Sequence, residues 1–203
     1  VRATLRKQAL ERVGRAESAF LGGEQFFREA LADEVGQGAA PVLILRASAG
    51  RVDGRSRINS AQVLGVDDRF WAVASGNKPA AAAGPGSVKS GVALNERAAQ
   101  QLGVAAGDTV ILRIEKPALF SRDAPLSGEE SQIVALRLVV DRVVSDAEGG
   151  RFGLQALQIP PASCFVRLAL LQERLEMVGR ANLILSAGRS AAALREAIAP
   201  CWQ

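Results

Sequence analysis

VALNERAAQQLGVAAGDTVILRI, residues 92–114, reads as a strand, a short helix, a Gly-Asp turn and a second strand. The helix ends near Leu102-Gly103, the turn runs from Val104 to Gly107, and an apolar run carries the chain onward. Which architecture holds this unit depends on what flanks it.

On the N-terminal side, Leu5, Ala9 and Val13 recur at helical spacing with Arg2, Arg6, Lys7 and Arg12 turned to water, and Gly14 ends the pattern. SAFL, residues 18–21, is a short apolar strand closed by Gly22-Gly23. EQFFREALADEV after it predicts a helix with Phe26, Phe27, Ala30, Leu31 and Val35 on one face. PVLILRA, residues 41–47, reads as a buried strand. The Asp53-Gly54 turn signal in RVDGRSRI then predicts a hairpin into SAQVLGV. Phe70 and Trp71 follow, and aromatics at strand ends belong to the core more often than not. Residues 76–91 are rich in Gly, Pro and Ala and read as a loop.

On the C-terminal side, residues 115–132 form a polar connection with two prolines, on which Leu119 and Phe120 are exposed unless a partner covers them. IVALRLVVDRVV is a strand, and the tail alternates: CFVRL as strand, LALLQERLEM as helix, ANLILSA as strand, and SAAALREAIA as a helix capped by Ser190 and ended by Pro200. LILS is apolar on both faces, so it is expected in one sheet with the N-terminal strands, covered by helices. The βα units at both ends and the strand-rich middle predict an α+β fold of two lobes: residues 1–74 with 161–203, and an inserted β-rich lobe over 75–160.

Composition sets outer bounds. The 203 residues are 48% hydrophobic and 23% charged, an ordinary globular balance. Twenty-five Lys and Arg against 21 Asp and Glu give a net charge of +4, spread along the chain without basic runs, which gives no support for a nucleic-acid partner. No apolar run approaches the ~20 residues that span a bilayer. The chain opens on Val1 rather than Met, so a segment of a longer protein is expected.

Catalytic chemistry has few candidates. With no His, neither a hydrolase triad nor a usual zinc set can be assembled, and Cys164 and the serines lack their customary base. Cys164 and Cys201 show no spacing signal for a bridge and are expected free. The adjacent pairs Asp33-Glu34, Asp67-Asp68 and Glu129-Glu130 point apart in regular structure and read as solvated surface. The glycine clusters lack the patterns that cradle phosphate. The expectation is therefore no enzyme, no cofactor and no metal.

Two families share features with these segments. A helix running into G-x-x-x-G-D-T-V resembles the entry to a strand in double-psi barrel domains, which would make the chain a soluble ligand-binding or enzyme domain. The order of the pieces resembles another family more closely. In QVLGVDDRFWAV, residues Val63, Gly65, Val66, Phe70 and Trp71 stand at the positions of a step in the MacB-like periplasmic core domain of FtsX-type ABC transporter permeases. VALNERAAQQLGVAAGDTVIL, IVALRLVVDRVVSD, SCFVRLALLQERL and ANLILSAGRSAAALREAI resemble that family's later segments, in its order.

The second resemblance implies a Porter-like lobe from both chain ends and a Sabre-like insert. It also implies an extracytoplasmic domain between the first two transmembrane helices, with the helix before Gly14 extending the first of them. The implied partners are the remaining transmembrane part of the permease, a separate ATP-binding subunit or domain, and a periplasmic protein or lipoprotein. Leu119 and Phe120 are the candidate partner-contact residues. A purely structural interaction module is a third, plainer reading.

Overall fold

A computed structural model of the protein describes residues 14–23, 25–74, 91–117, 132–154 and 160–200. Its strands are β1 (Ser18–Leu21), β2 (Phe27–Arg28), β3 (Ala39–Arg51), β4 (Arg57–Val66), β5 (Gly91–Asn95), β6 (Thr109–Glu115), β7 (Ile133–Val144), β8 (Ser163–Arg167), β9 (Arg180–Ala181) and β10 (Leu183–Ser186). Its helices are α1 (Leu31–Val35), α2 (Asp68–Ala74), α3 (Glu96–Leu102), α4 (Leu168–Leu175) and α5 (Ala191–Ile198). The fold is α+β, as the sequence indicates.

The main sheet has the order β1-β10-β3-β4-β8-β5-β7-β6, and β6 pairs back onto β3. Six strands from β3 to β6 therefore close a ring, while β10 and β1 extend from β3 as a short side sheet. Long β3 serves both parts: β10 pairs with its Ala39–Val42 stretch, and β6 with residues 47–51 of the same strand. LILS accordingly joins the N-terminal strands, lying between β1 and β3.

Period-two alternation sorts the apolar side chains into compartments. Leu43, Val63, Cys164, Val166, Val92, Leu94, Leu138 and Leu112 come from all six ring strands and share one core with residues of α3 and α4. Their odd or even neighbours Val42, Leu64, Phe165 and Ala93 face the other way, against Phe70 and Trp71 of α2 and Phe152. On β10, Leu183 and Leu185 enter this second core, while Ile184 enters a third beneath α1 and α5. Phe70 packs edge-on against Trp71 and Phe152, with ring centroids 5.1 Å apart in both pairs, so the aromatics are core, as their strand-end positions suggest.

Two devices allow these compartments to coexist. A Cβ on Gly65 would lie 2.9 Å from Leu171 Cδ2 and 3.2 Å from Leu168 Cδ1, so the absence of a side chain lets α4 lie directly on β4. On β7, Val140 pairs with Val92 but Arg142 pairs with Ala93, leaving Asp141 as the extra residue of a bulge. The bulge reverses the facing of the strand, since Val140 lies in the ring core and Val144 in the second core.

One expected helix is largely a different structure. Of the described residues 25–35, only those of α1 are helical, whereas Phe27-Arg28 pairs antiparallel with Arg180-Ala181 as β2 with β9. Phe27 still enters the third core beside Leu31 and Val35, but Phe26 packs against the ring core and Ala30 is exposed, so the expected single face holds only for three of its five residues. The helix expected before Gly14 and most of the 76–91 loop and the 115–132 connection lie outside the described residues.

Candidate functional site

The expected partner-contact residues Leu119 and Phe120 lie outside the described residues, as does Cys201. Cys164 is free and fully buried in the ring core, where desolvation pushes its thiol up to about 12, far from nucleophilic readiness. Among the described residues no cluster of His, Cys, Asp and Glu could hold a metal ion, and no helix is long and apolar enough to cross a membrane.

The polar site that the topology does build lies at the ends of β4 and β8. These strands run parallel, from Gln62 opposite Ser163 to Val66 opposite Arg167, and each leads into a helix. The helices go to opposite faces: α2 places Phe70 and Trp71 in the second core, and α4 places Leu168, Leu171 and Leu175 in the ring core. Where successive helices diverge to opposite faces, a crevice opens outside the carboxyl ends of the strands. Here it is a space of about 260 Å³ lined by Glu29, Asp67, Asp68, Arg69, Arg167 and Gln172, among others.

Asp67 organises one wall. Its Oδ1 accepts hydrogen bonds from the main-chain N–H groups of Arg69 (3.0 Å) and Phe70 (3.3 Å) at the start of α2. Its Oδ2 receives Arg69 Nε at 2.7 Å, and Arg69 Nη1 reaches Asp33 on α1 at 2.5 Å. Partial burial works against the Arg69 charge, but the two carboxylates outweigh it and hold the guanidinium's pKa above its usual value. The opposite wall is set by Gln172 of α4, whose Nε2 donates to Glu29 (2.5 Å) and to the Arg180 carbonyl (2.9 Å). Thus the segment from Glu29 to Asp33 is tied to α2 on one side and α4 on the other. The chemistry of the crevice is positional: it fixes the relative placement of two helices and the loop between them.

Two buried asparagines fix the rest of the frame. Asn95, 2% exposed, uses all its side-chain capacity: Oδ1 accepts from Ala98 N (2.9 Å) and Ser163 N (3.0 Å), and Nδ2 donates to Gly150 O (3.0 Å) and Pro161 O (2.9 Å). It caps α3 while joining the start of β8 to the turn after β7. Asn182 pairs its amide with the main chain of Ile44 on β3. Arg69, Asn95 and Asn182 were not singled out by sequence reasoning, and Asp67, read with Asp68 as solvated surface, instead accepts three hydrogen bonds. Asp67 had a usable signal, an Asp at the end of a strand before a helix, which is the position of a cap.

No family model matches the sequence, and no curated protein matches it. Solved structures do. The periplasmic region of MacB from Actinobacillus actinomycetemcomitans superposes with a TM-score of 0.57 at 13% identity, over 98% of this chain and 87% of that one. The extracellular domain of the noncanonic ABC-type transporter YknZ from Gram-positive bacteria gives 0.51 at 10% identity, over 88% and 86%. Both matches span most of the chain, so its fold is that of the MacB-like periplasmic domain.

Proposed function

We propose that the chain is the extracytoplasmic domain of an ABC transporter permease, which couples ATP-driven movement of membrane helices to the handling of a substrate or partner protein outside the membrane. The observation that carries this reading is a likeness spanning 98% of the chain to the periplasmic region of one ABC-type transporter, with a second transporter's extracellular domain sharing the fold. ATP hydrolysis belongs, on this reading, to another chain or domain. On this reading the parts built from residues 1–74 with 161–203 and from 75–160 act as its two lobes and meet in the ring, to which the first contributes β3, β4 and β8 and the second β5, β6 and β7. Leu119 and Phe120 are its proposed partner contacts.

The ring offers little support to the ligand-binding barrel. Its interior positions are filled by Leu43, Val63, Val92, Leu112 and Cys164, each fully buried. A ligand inside would have to displace close-packed side chains.

Membrane topology tests the proposal. Val178 is 77% exposed, so a Val178→Cys variant of the full-length protein should react with a membrane-impermeant maleimide in spheroplasts without lysis. Labelling only after lysis would overturn the extracytoplasmic placement. The partner role is tested separately by replacing Leu119 and Phe120 with Ser: transport or partner capture should fall while membrane insertion and ATP hydrolysis persist.

A further inference from the structure

We infer that the Asp53-Gly54 step, in the turn between β3 and β4, is a site of spontaneous covalent modification at which the chain passes through a cyclic imide to isoaspartate. It is the one Asp-Gly step in the sequence, and no Asn-Gly step occurs. Both residues are exposed. The turn is held by Arg51, whose N–H donates to the Ser56 carbonyl at 3.0 Å.

Imide closure requires the main-chain nitrogen of residue 54 to reach Cγ of residue 53. Asp53 Oδ1 accepts the main-chain N–H of Arg55 at 3.1 Å, which folds the carboxyl back over the intervening peptide. A Cβ on the following residue would crowd that approach. Gly54 has none, and no atom lies within 4 Å of the place where one would stand. Negative charge that builds on the carboxyl oxygens during attack meets Arg51 Nε, 3.3 Å from Oδ1 and 3.2 Å from Oδ2, and Arg55 Nε, 3.8 Å from Oδ2. The other described aspartates lack this combination. Asp33, Asp68 and Asp141 lie within α1, α2 and β7. Asp67 folds back in the same way, onto the Arg69 N–H, but the residue after it is Asp68, with a side chain.

The reaction balances without a co-reactant. Gly54 N bonds to Asp53 Cγ, the Cγ–O bond breaks, and the amide hydrogen leaves with the carboxyl hydroxyl as water. A second water then opens the imide. Opening at the former side-chain carbonyl restores aspartate. Opening at the former main-chain carbonyl leaves the chain running through Cβ and Cγ, with the carboxylate on Cα. The Arg55 N–H, with both guanidinium groups, holds the carboxyl below its usual range, so little of the neutral, reactive form is present and the product builds up slowly. The change falls on Arg51, which Asp53 orients while its Nη1 donates to the Gly103 carbonyl at the end of α3 (2.5 Å). A carboxylate moved to Cα leaves that position, and the tie between the hairpin and α3 loosens.

The test ages the full chain at pH 6 in water enriched in heavy oxygen, then digests it with trypsin in ordinary water and reads the peptide of residues 52–55. Each imide opening leaves one heavy oxygen in that peptide. Isoaspartate is told from aspartate by chromatography and by methylation with an isoaspartate methyltransferase. Residue 53 should hold about tenfold more isoaspartate than any other described aspartate, Asp67 included, a barrier difference of about 1.4 kcal/mol. Asp53→Glu keeps the charge but would have to close a larger, slower-forming ring, and should take up no heavy oxygen. Gly54→Ala should take it up about tenfold more slowly than wild type. No excess at residue 53 over Asp67 would overturn the inference, and the wild-type chain alone supplies that comparison. So would uptake in Asp53→Glu or Gly54→Ala equal to that of wild type.

Discussion

Asn182 and Ile44 pair as two strand residues would, although one partner is a side chain. Asn182 Oδ1 accepts from Ile44 N at 2.8 Å, and Nδ2 donates to Ile44 O at 2.9 Å. The contact occupies the interval on β3 after β10 stops pairing at Val42 and before β6 begins at Ala47. A side-chain amide carries the same donor and acceptor as a peptide group, so it completes a ladder where no strand reaches. The ring and the side sheet are joined there.

The first prediction follows from that pairing. Asn182→Ala leaves a buried N–H and a buried C=O without partners and should cost about 2–4 kcal/mol in urea unfolding. Asn182→Asp keeps the acceptor but points an oxygen at the Ile44 carbonyl, and should be at least as damaging at neutral pH. An alanine variant as stable as wild type would show that the interval is closed by something else.

Gly65 supplies the second. A methyl group there meets Leu171, Leu168 and Leu43 at 2.9–3.3 Å, so Gly65→Ala should lift α4 from β4 and destabilise the chain by about 1–3 kcal/mol. Since Leu168 and Gln172 line the crevice, the same change should loosen the tie between Gln172 and Glu29, visible as faster amide exchange over α1 and α4.

Cys164 should behave as a reporter of global unfolding. With Cys201 replaced by Ser, the native protein should resist a thiol reagent at pH 8, because the thiol is fully buried and its pKa is raised to about 12. Full labelling should appear only in denaturant. Rapid labelling under native conditions would contradict the closed ring.

Much of the frame was legible because it is written locally. Alternation marked LILS and PVLILRA, the Asp53-Gly54 turn marked the β3–β4 hairpin, and the segment from Val92 to Ile114 folds as read: β5, α3 ending at Gly103 in the left-handed region, a turn, then β6. What failed was decided at a distance. Phe26 and Phe27 have helical spacing with Leu31, but the partner that draws Phe27 into a strand is Ala181, more than 150 residues away. Ring closure is equally non-local, since nothing in β6 announces that β3 is its second neighbour. Asp67-Asp68 was read as a solvated pair; Asp68 fits that reading, while Asp67 is spent on two amides and a guanidinium. Asn182, a lone buried asparagine with no periodicity, left no pattern to find, whereas Asn95 carried a cap signal, an Asn at the end of a strand before a helix, that does not reveal its contacts with Gly150, Pro161 and Ser163.

The last prediction concerns the bulge that turns β7 from one core to the other. Asp141, the extra residue, folds its carboxylate onto Gly91, where a Cβ would lie 1.6 Å from Oδ2 and 2.3 Å from Cγ. Gly91→Ala therefore displaces the whole carboxylate and should cost about 1–2 kcal/mol. In an Asp141→Ala background the obstacle is gone, so the same change should cost much less, and a double-mutant cycle should return a coupling of about 1 kcal/mol. Additive effects would mean that the two residues do not compete for the site. The titration of Asp141 supplies an independent check. Desolvation raises its pKa above the ordinary 3.8, so the folded state holds this proton more tightly than the unfolded chain. Its contribution to stability is then fully present below the unfolded value and is lost as pH rises through the folded one. Asp141→Asn should remove that decline, making stability from acid to neutral pH rise more, or fall less, than in wild type. An unchanged pH profile would mean that the carboxylate is as well solvated at the bulge as in the unfolded chain.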